Sequence, residues 1–205
     1  MRIHSFILTV AIMLLCIAEL PGQNPFIRDQ FTADPTARVF NNKVYVFPSH
    51  DILAQEGKGR VGWFCMEDYH VLSMAGPDAP AVDHGVALHI KDVPWAERQM
   101  WAPDATRKNG KYYLYFPAKR PDGIFQIGVA VGDSPIGPFK AQPEPIAGSY
   151  SIDPAVFEDD DGQFYLYFGG IWGGQLQQYR NNRYDAQYAE PAADEPALGP
   201  KVARL

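Results

Sequence analysis

Three stretches of the chain share one pattern of apolar and polar positions: residues 34–47 (DPTARVFNNKVYVF), 102–116 (APDATRKNGKYYLYF) and 153–168 (DPAVFEDDDGQFYLYF). Each has a short apolar lead-in, a polar turn built on Asn-Asn, Asn-Gly or Asp-Gly, and then a run of alternating aromatic residues. Alternation with a period of two predicts a β-strand, and Asn-Gly suits the positive φ angles of a tight hairpin turn. Aligned on Tyr45, Tyr113 and Tyr165, the prolines Pro35, Pro103 and Pro154 fall together to within one residue.

In the second copy the pattern predicts a turn at Lys108-Asn109-Gly110-Lys111, a strand over 112–116 ended by Pro117, and a second turn at Pro121-Asp122-Gly123. A further strand over 124–131 is closed by Gly132-Asp133-Ser134-Pro135. The third copy turns at Asp161-Gly162, extends over 164–168 and breaks at Gly169-Gly170. No long stretch has helical periodicity. The copies lie roughly 50–70 residues apart, the range of radially repeated four-stranded sheets with insertions. The expected fold is all-β, a β-propeller of four-stranded blades with about three blades encoded. The first strand of each propeller blade lines the central channel, so the residue that begins it points to a common axis. That residue is Asp34, Ala102 and Asp153 in the three copies. A lone Asp-Pro is usually a turn initiator. Two in matching register, before matching strands, place two acids at one site.

The N-terminus departs from this pattern. A short basic start is followed by an apolar run over 5–18, too short to cross a bilayer but right for a signal-peptide core, and by a Pro21-Gly22 break. The expected division is a signal peptide over residues 1–23, cleaved after Ala18 or near Gln23, and a single domain over 24–205. This predicts a secreted or periplasmic protein with no transmembrane segment after signal removal. Cys16 follows the bulky Leu15, which argues against a lipid anchor there. Cys65 is then the lone cysteine of the mature chain, so no internal disulfide forms, and its apolar neighbours suit core packing rather than a nucleophile. The formal net charge of −6 argues against nucleic acid as a partner.

Several phrases follow one another in order over nearly all of the mature chain: Ala33-Asp34-Pro35, Met100-Trp101-Ala102-Pro103-Asp104, Asn109-Gly110-Lys111-Tyr112-Tyr113-Leu114-Tyr115-Phe116, Ile127-Gly128-Val129-Ala130, Asp133-Ser134-Pro135-Ile136-Gly137-Pro138-Phe139, and Ile152-Asp153-Pro154-Ala155-Val156-Phe157 running into Asp160-Asp161-Gly162. Singly they are weak; together the chain resembles glycoside hydrolase family 43. These are five-bladed β-propeller enzymes acting on arabinose- and xylose-containing polysaccharides. The resemblance implies an inverting β-xylosidase or α-L-arabinofuranosidase acting on xylan- or arabinan-derived oligosaccharides. By resemblance, Asp34 matches the general base that activates water. Asp153 matches the aspartate that tunes the acid's pKa and helps orient the sugar. The family's third group, a glutamic general acid, comes from a later blade. Glu158 lies in an acidic turn, Glu190 and Glu195 are each followed by proline, and none precedes a turn and an aromatic strand. The chain therefore reads as the N-terminal part of a longer product, with little or no hydrolase activity by itself.

Glycosidic bonds break through an oxocarbenium-like transition state, with an acid under the leaving oxygen and, on inversion, a base holding water on the opposite face. The acid must stay protonated near neutral pH, which a nearby negative charge favours. Sugars also need a flat apolar platform and polar edges. Trp101 is the first candidate for the platform, with core packing as its competitor. Phe47-Pro48-Ser49-His50-Asp51 ends the first inner strand, where His50 and Asp51 are candidates for binding sugar hydroxyls. Asp104 either lines the pocket or caps a turn. The chemistry requires no metal or redox cofactor. Some members of the family hold a cation near the propeller axis, but no ligand set for one is evident. His84 and His89 are not at metal-ligand spacing. Residues 158–162 lack the alternating donors of a calcium loop and read as a solvated hairpin turn. Two other functions remain open. One is a retaining fructan hydrolase of similar fold, which uses Arg-Asp-Pro where this chain has Ile152 before Asp153. The other is a non-catalytic sugar-binding propeller.

Overall fold

The computed structural model describes residues 25–52, 65–76, 79–169, 175–188, 194, 196 and 198–205. The expected signal peptide with Cys16, the break at Gly170, and Glu190 and Glu195 lie outside the described residues. Strands β1 (Thr32–Phe40), β2 (Lys43–His50), β3 (Asp68–Met74) and β4 (Val82–His89) form one sheet in that order. Strands β5 (Asp104–Lys108), β6 (Lys111–Lys119), β7 (Phe125–Gly132) and β8 (Lys140–Ala141) form a second. Strands β9 (Ala155–Glu158), β10 (Phe164–Phe168) and β11 (Lys201–Arg204) make a three-stranded third, in the order β11-β10-β9. All neighbours are antiparallel. A short helix, α1 (Gln175–Gln178), follows the third sheet's β10. The all-β, bladed architecture expected from the repeats is present, and no helix of the described residues is long and apolar enough to cross a membrane.

Local chemistry sets the hairpins. Asn41 and Asn42 adopt φ of 50° and 60°, and Asn109 and Gly110 adopt 52° and 78°. Two consecutive positive φ values match the twist of the flanking strands, and Asn and Gly reach them at least cost. The third hairpin is wider. Asp159 donates to the Gln163 carbonyl at 2.8 Å, and only Gly162 (φ 78°) is left-handed.

The repeat is exact in register. On the first-to-second strand ladder, Tyr45 pairs with Arg38, Tyr113 with Thr106 and Tyr165 with Phe157. Asp34, Ala102 and Asp153 each lie four residues before that partner. The inner strands contact one another in turn, β1 with β5 and β5 with β9. The middle sheet uses both faces, as strand alternation requires. Leu114 and Phe116 join Phe47, Tyr69 and Val71 in one apolar cluster. Tyr115 and Ile127 join Val156, Phe164 and Leu166 in another. Each fully buried Phe, Leu or Ile contributes about 1.5–3 kcal/mol.

Two local expectations are corrected. Pro117 does not end its strand; β6 continues to Lys119, with Pro117 opposite Ile127. Its carbonyl accepts from Trp101 N at 3.2 Å, beyond the end of β5. The missing N–H therefore falls where no neighbouring strand needs a donor. The run ending at Asp51 also closes β2, the second strand of its blade, because β1 is the inner one.

Candidate active site

The mouth of the site forms where the inner strands begin. The β1–β2 register shifts between Ala33 and Thr36, a bulge centred on Asp34-Pro35. Such a bulge breaks the ladder and re-aims the side chain. Asp34 has φ 45° and Asp153 has φ 54°. The left-handed region costs ordinary residues about 1–2 kcal/mol, and Asp and Asn tolerate it better than other side chains. The two sequence copies thus share a strained backbone as well as an acid and a proline.

The carboxylates feel one another. Partial burial, then the charge on Asp34, raises the Asp153 carboxyl above the usual aspartate value. Partial burial also raises Asp51; the Ser49 hydroxyl opposes this, Asp34 adds to it and His50 opposes it. The charge of Asp34 therefore acts on both other acids. Asp34 and Asp153 are exposed and Asp51 is half-buried, so solvent screens these effects. Among the described residues, no hydrogen bond reaches the carboxylate of Asp34 or Asp153. Like charges held together on strained backbone, without internal partners, suit a functional site better than a structural one.

Asp51 is anchored to the start of β1. Its N–H donates to the Phe31 carbonyl at 2.9 Å. The buried Ser49 hydroxyl reaches the Ala33 carbonyl at 3.0 Å and Asp51 Oδ1 at 3.3 Å. Ser49 thus clamps the bulge, a role with no sequence signal beyond its position on the strand. His50 turns towards β3, where its Nδ1 donates to Asp68 Oδ1 at 2.7 Å.

Trp101 is half-buried at the seam between the first two sheets. Its ring lies 4.6 Å from Phe125, and its carbonyl accepts from the Tyr69 hydroxyl. Its indole Nε1 is buried with no partner among the described residues. Burial holds the Tyr69 phenol well above its usual pKa, so it stays a donor. Cys65 is buried, and the acidic turn at 159–161 is exposed, with Asp159 and Asp161 accepting from Asp160 N and Gln163 N.

Asp104, expected as a pocket candidate, is corrected: it is buried, with 3% of its surface exposed, and joins three sheets. Its Oδ1 accepts from Thr36 Oγ1 at 2.7 Å, Arg38 Nε at 3.0 Å and its neighbour's Ala105 N at 2.8 Å. Its Oδ2 accepts from Arg38 Nη2 and from Val156 N at 2.6 Å. Arg38 Nη2 also reaches the Val156 carbonyl at 3.0 Å. Both oxygens are consumed by β1, β5 and β9, leaving none for a sugar.

An axial cation is allowed by the family resemblance; among the described residues, no group of three ligand atoms close enough to share an ion includes Asp34 or Asp153. Among the described residues, the one group of three ligand atoms close enough to share an ion is His50, Asp68 and His70, one strand or more out from the axis.

Comparison with known proteins agrees with this fold. The family model for glycosyl hydrolases family 43 matches residues 81–196. Xylosidase/arabinosidase 43A of Humicola insolens is 54% identical over 190 residues, 88% of this chain and 58% of that protein. A xylosidase/arabinosidase of Bacteroides ovatus is 50% identical over 179 residues, 85% of this chain and 54% of that protein. The crystal structure of the GH43_1 enzyme from Xanthomonas citri complexed with xylotriose superposes with a TM-score of 0.80 at 64% identity, over 88% of this chain and 53% of that one. The chain thus spans just over half the length of these relatives.

Proposed function

The chain belongs to glycosyl hydrolase family 43, and from that membership we propose that it supplies the base side of an inverting glycosidase for xylose- or arabinose-containing oligosaccharides. The observation that carries this reading is the pairing of Asp34 and Asp153 on matching, strained inner-strand starts, with the Asp34 charge acting on Asp153. The related proteins' names, xylosidase and arabinosidase, and the xylotriose bound by the Xanthomonas citri enzyme support the substrate class.

In this reading Asp34 removes a proton from the water that attacks the anomeric carbon. The carboxylate has no internal hydrogen bond among the described residues, which leaves it available to water. Asp153 adds negative potential at the mouth. That potential favours the protonated form of the acid that donates to the leaving oxygen. None of the described residues takes the role of that acid. Asp51 and His50 border the sugar site, and Trp101 contributes an apolar wall. Residues 1–23 direct export, so the enzyme meets its oligosaccharides outside the cytoplasm.

The test is hydrolysis of 4-nitrophenyl β-D-xyloside and α-L-arabinofuranoside by the protein that carries this chain, with proton NMR of the first-released sugar. Inverted product is expected, and Asp34→Asn is expected to cut turnover by about 10²–10⁴ while keeping oligosaccharide binding. Binding of xylo-oligosaccharides without any hydrolysis, or a first product of retained configuration, would overturn the proposal.

A further inference from the structure

We propose that His50, Asp68 and His70 form a binding site for a divalent transition-metal ion of the zinc type, on the flank of the first sheet and next to the proposed sugar site. The donors are His50 Nδ1, an Asp68 carboxylate oxygen and His70 Nε2, all within 4.8 Å of one another. His50 Nδ1 stands 2.7 Å and His70 Nε2 3.9 Å from Asp68 Oδ1. Zinc bonds of about 2.0–2.2 Å in a tetrahedral arrangement set donor atoms about 3.3 Å apart. Side-chain rotations that move the donor atoms by up to about 1 Å bring the triangle to that size.

A second observation points to a cation. His70 Nδ1 lies 2.9–3.0 Å from both oxygens of Asp83, so that nitrogen carries the proton and donates. In the neutral ring the lone pair is then on Nε2, which faces Asp68 Oδ1, another acceptor. Two acceptors turned towards each other repel unless a positive charge sits between them. A carboxylate behind the distal nitrogen of a metal-binding histidine is also the arrangement that fixes the ligating tautomer. Asp83 is itself held in place by Gly85 N at 2.8 Å and Gln30 Nε2 at 3.2 Å.

The chemistry of the donors selects the ion. Two imidazoles and one carboxylate suit zinc and its neighbours, whereas calcium and magnesium prefer oxygen ligands alone. The side chains of His50, Asp68 and His70 are 24%, 12% and 16% exposed, which leaves a path from solvent and room for water as a fourth ligand. On binding, the His50 ring exchanges its Nδ1 proton for one on Nε2, so the neutral ring keeps its charge while Nδ1 ligates. The ion would join the ends of β2 and β3, directly beside Asp51.

The experiment uses the full chain, stripped with chelator, desalted and titrated with zinc chloride alone by calorimetry. About one equivalent is expected to bind. Asp83→Asn is expected to weaken binding about 10–100-fold, the usual effect of losing such a supporting carboxylate, and His70→Gln to remove it. Failure of the wild-type chain to take up one equivalent would mean that a proton alone fills the gap beside His70, and would overturn the proposal. Unchanged affinity in a folded His70→Gln protein would do the same. If that variant fails to fold, zinc-edge X-ray absorption of the loaded wild-type chain decides. Two imidazole ligands support the site; a sulfur ligand, or fewer than two imidazoles, overturns it.

Discussion

Asp34 and Asp153 at the mouth, and Asp104 at the seam between sheets, are acids of one kind placed within two positions of each other in the repeat, yet their surroundings are opposite. Asp104 is buried and accepts from Thr36, Arg38, Ala105 and Val156. Asp34 and Asp153 are exposed, sit on left-handed backbone, and repel each other. The seam acid satisfies every nearby donor and so holds three inner strands in place. The mouth acids satisfy none among the described residues, and their charge is left for something that enters from solvent. Position in a repeat identifies an acid as axial; only its partners tell whether it braces the fold or faces a substrate.

The sharpest way to break this contrast is to neutralise one acid in each region. In the protein that carries this chain, Asp34→Asn is expected to lower kcat by about 10²–10⁴, the range for losing a positioned acid or base, with little change in melting temperature. Asn tolerates the same left-handed backbone. Steady-state kinetics alongside a thermal melt checks both halves, and a stability loss as large as the rate loss would erase the distinction. Asp104→Ala should do the reverse. It strands the Arg38 guanidinium and the Val156 N–H, and breaking one partner of such a pair costs roughly 3 kcal/mol where it is mostly buried, less to the extent that water reaches Arg38. A fall of about 5–10 °C in melting temperature is expected for a domain of this size. The measurement is a melt of the variant against wild type.

A change remote from both regions calibrates the scale. Gly128 lies opposite Phe116 on β7, and a Cβ there would sit 2.6 Å from Trp95 and 2.8 Å from Phe116. Those two rings stack at 6.0 Å with 17° between their planes and leave no room to retreat together. Gly128→Ala is expected to destabilise by about 1–3 kcal/mol through overpacking, read by chemical denaturation, with the two mouth acids unaffected.

How much of this was legible beforehand follows the same line between local and long-range causes. The hairpins at Asn41-Asn42 and Asn109-Gly110 were readable because the turn chemistry is local. Strand 164–168 was readable because its alternation is local too, and the matching register of Asp34 and Asp153 followed from the repeat. Asp104 was not legible as a brace, because its partners Arg38 and Val156 are 66 and 52 residues away in sequence. Its one signal was charge complementarity with Arg38, two positions further along the equivalent strand. Pro117 misled because a proline stops a strand only where its missing N–H is needed, and here β5 has already ended. The His50, Asp68 and His70 cluster escaped because its members lie on two strands whose pairing no motif records. His84 and His89 drew attention instead, although His84 Nε2 simply bonds the Ser73 hydroxyl at 2.8 Å.

The smallest predicted effect is the most specific to the mouth. Burial and then Asp34 raise Asp153 above the usual aspartate value of 3.8. A raised value in the folded state means that the native protein binds this proton more tightly than the unfolded chain does. The favourable contribution is therefore complete below pH 3.8 and is lost as the pH climbs through the folded value. At neutral pH the ionised Asp153 opposes folding. Asp153→Asn removes that charge while suiting the left-handed backbone, so it is expected to melt slightly above wild type at pH 7. The gain is small, because both carboxylates are open to solvent and screened. It should shrink as the pH falls and vanish near pH 3.8, where wild-type Asp153 takes up its own proton. Melts across this range check it: a variant that melts lower than wild type at pH 7, by an amount indifferent to pH, would show that Asp153 braces the mouth as Asp104 braces the seam.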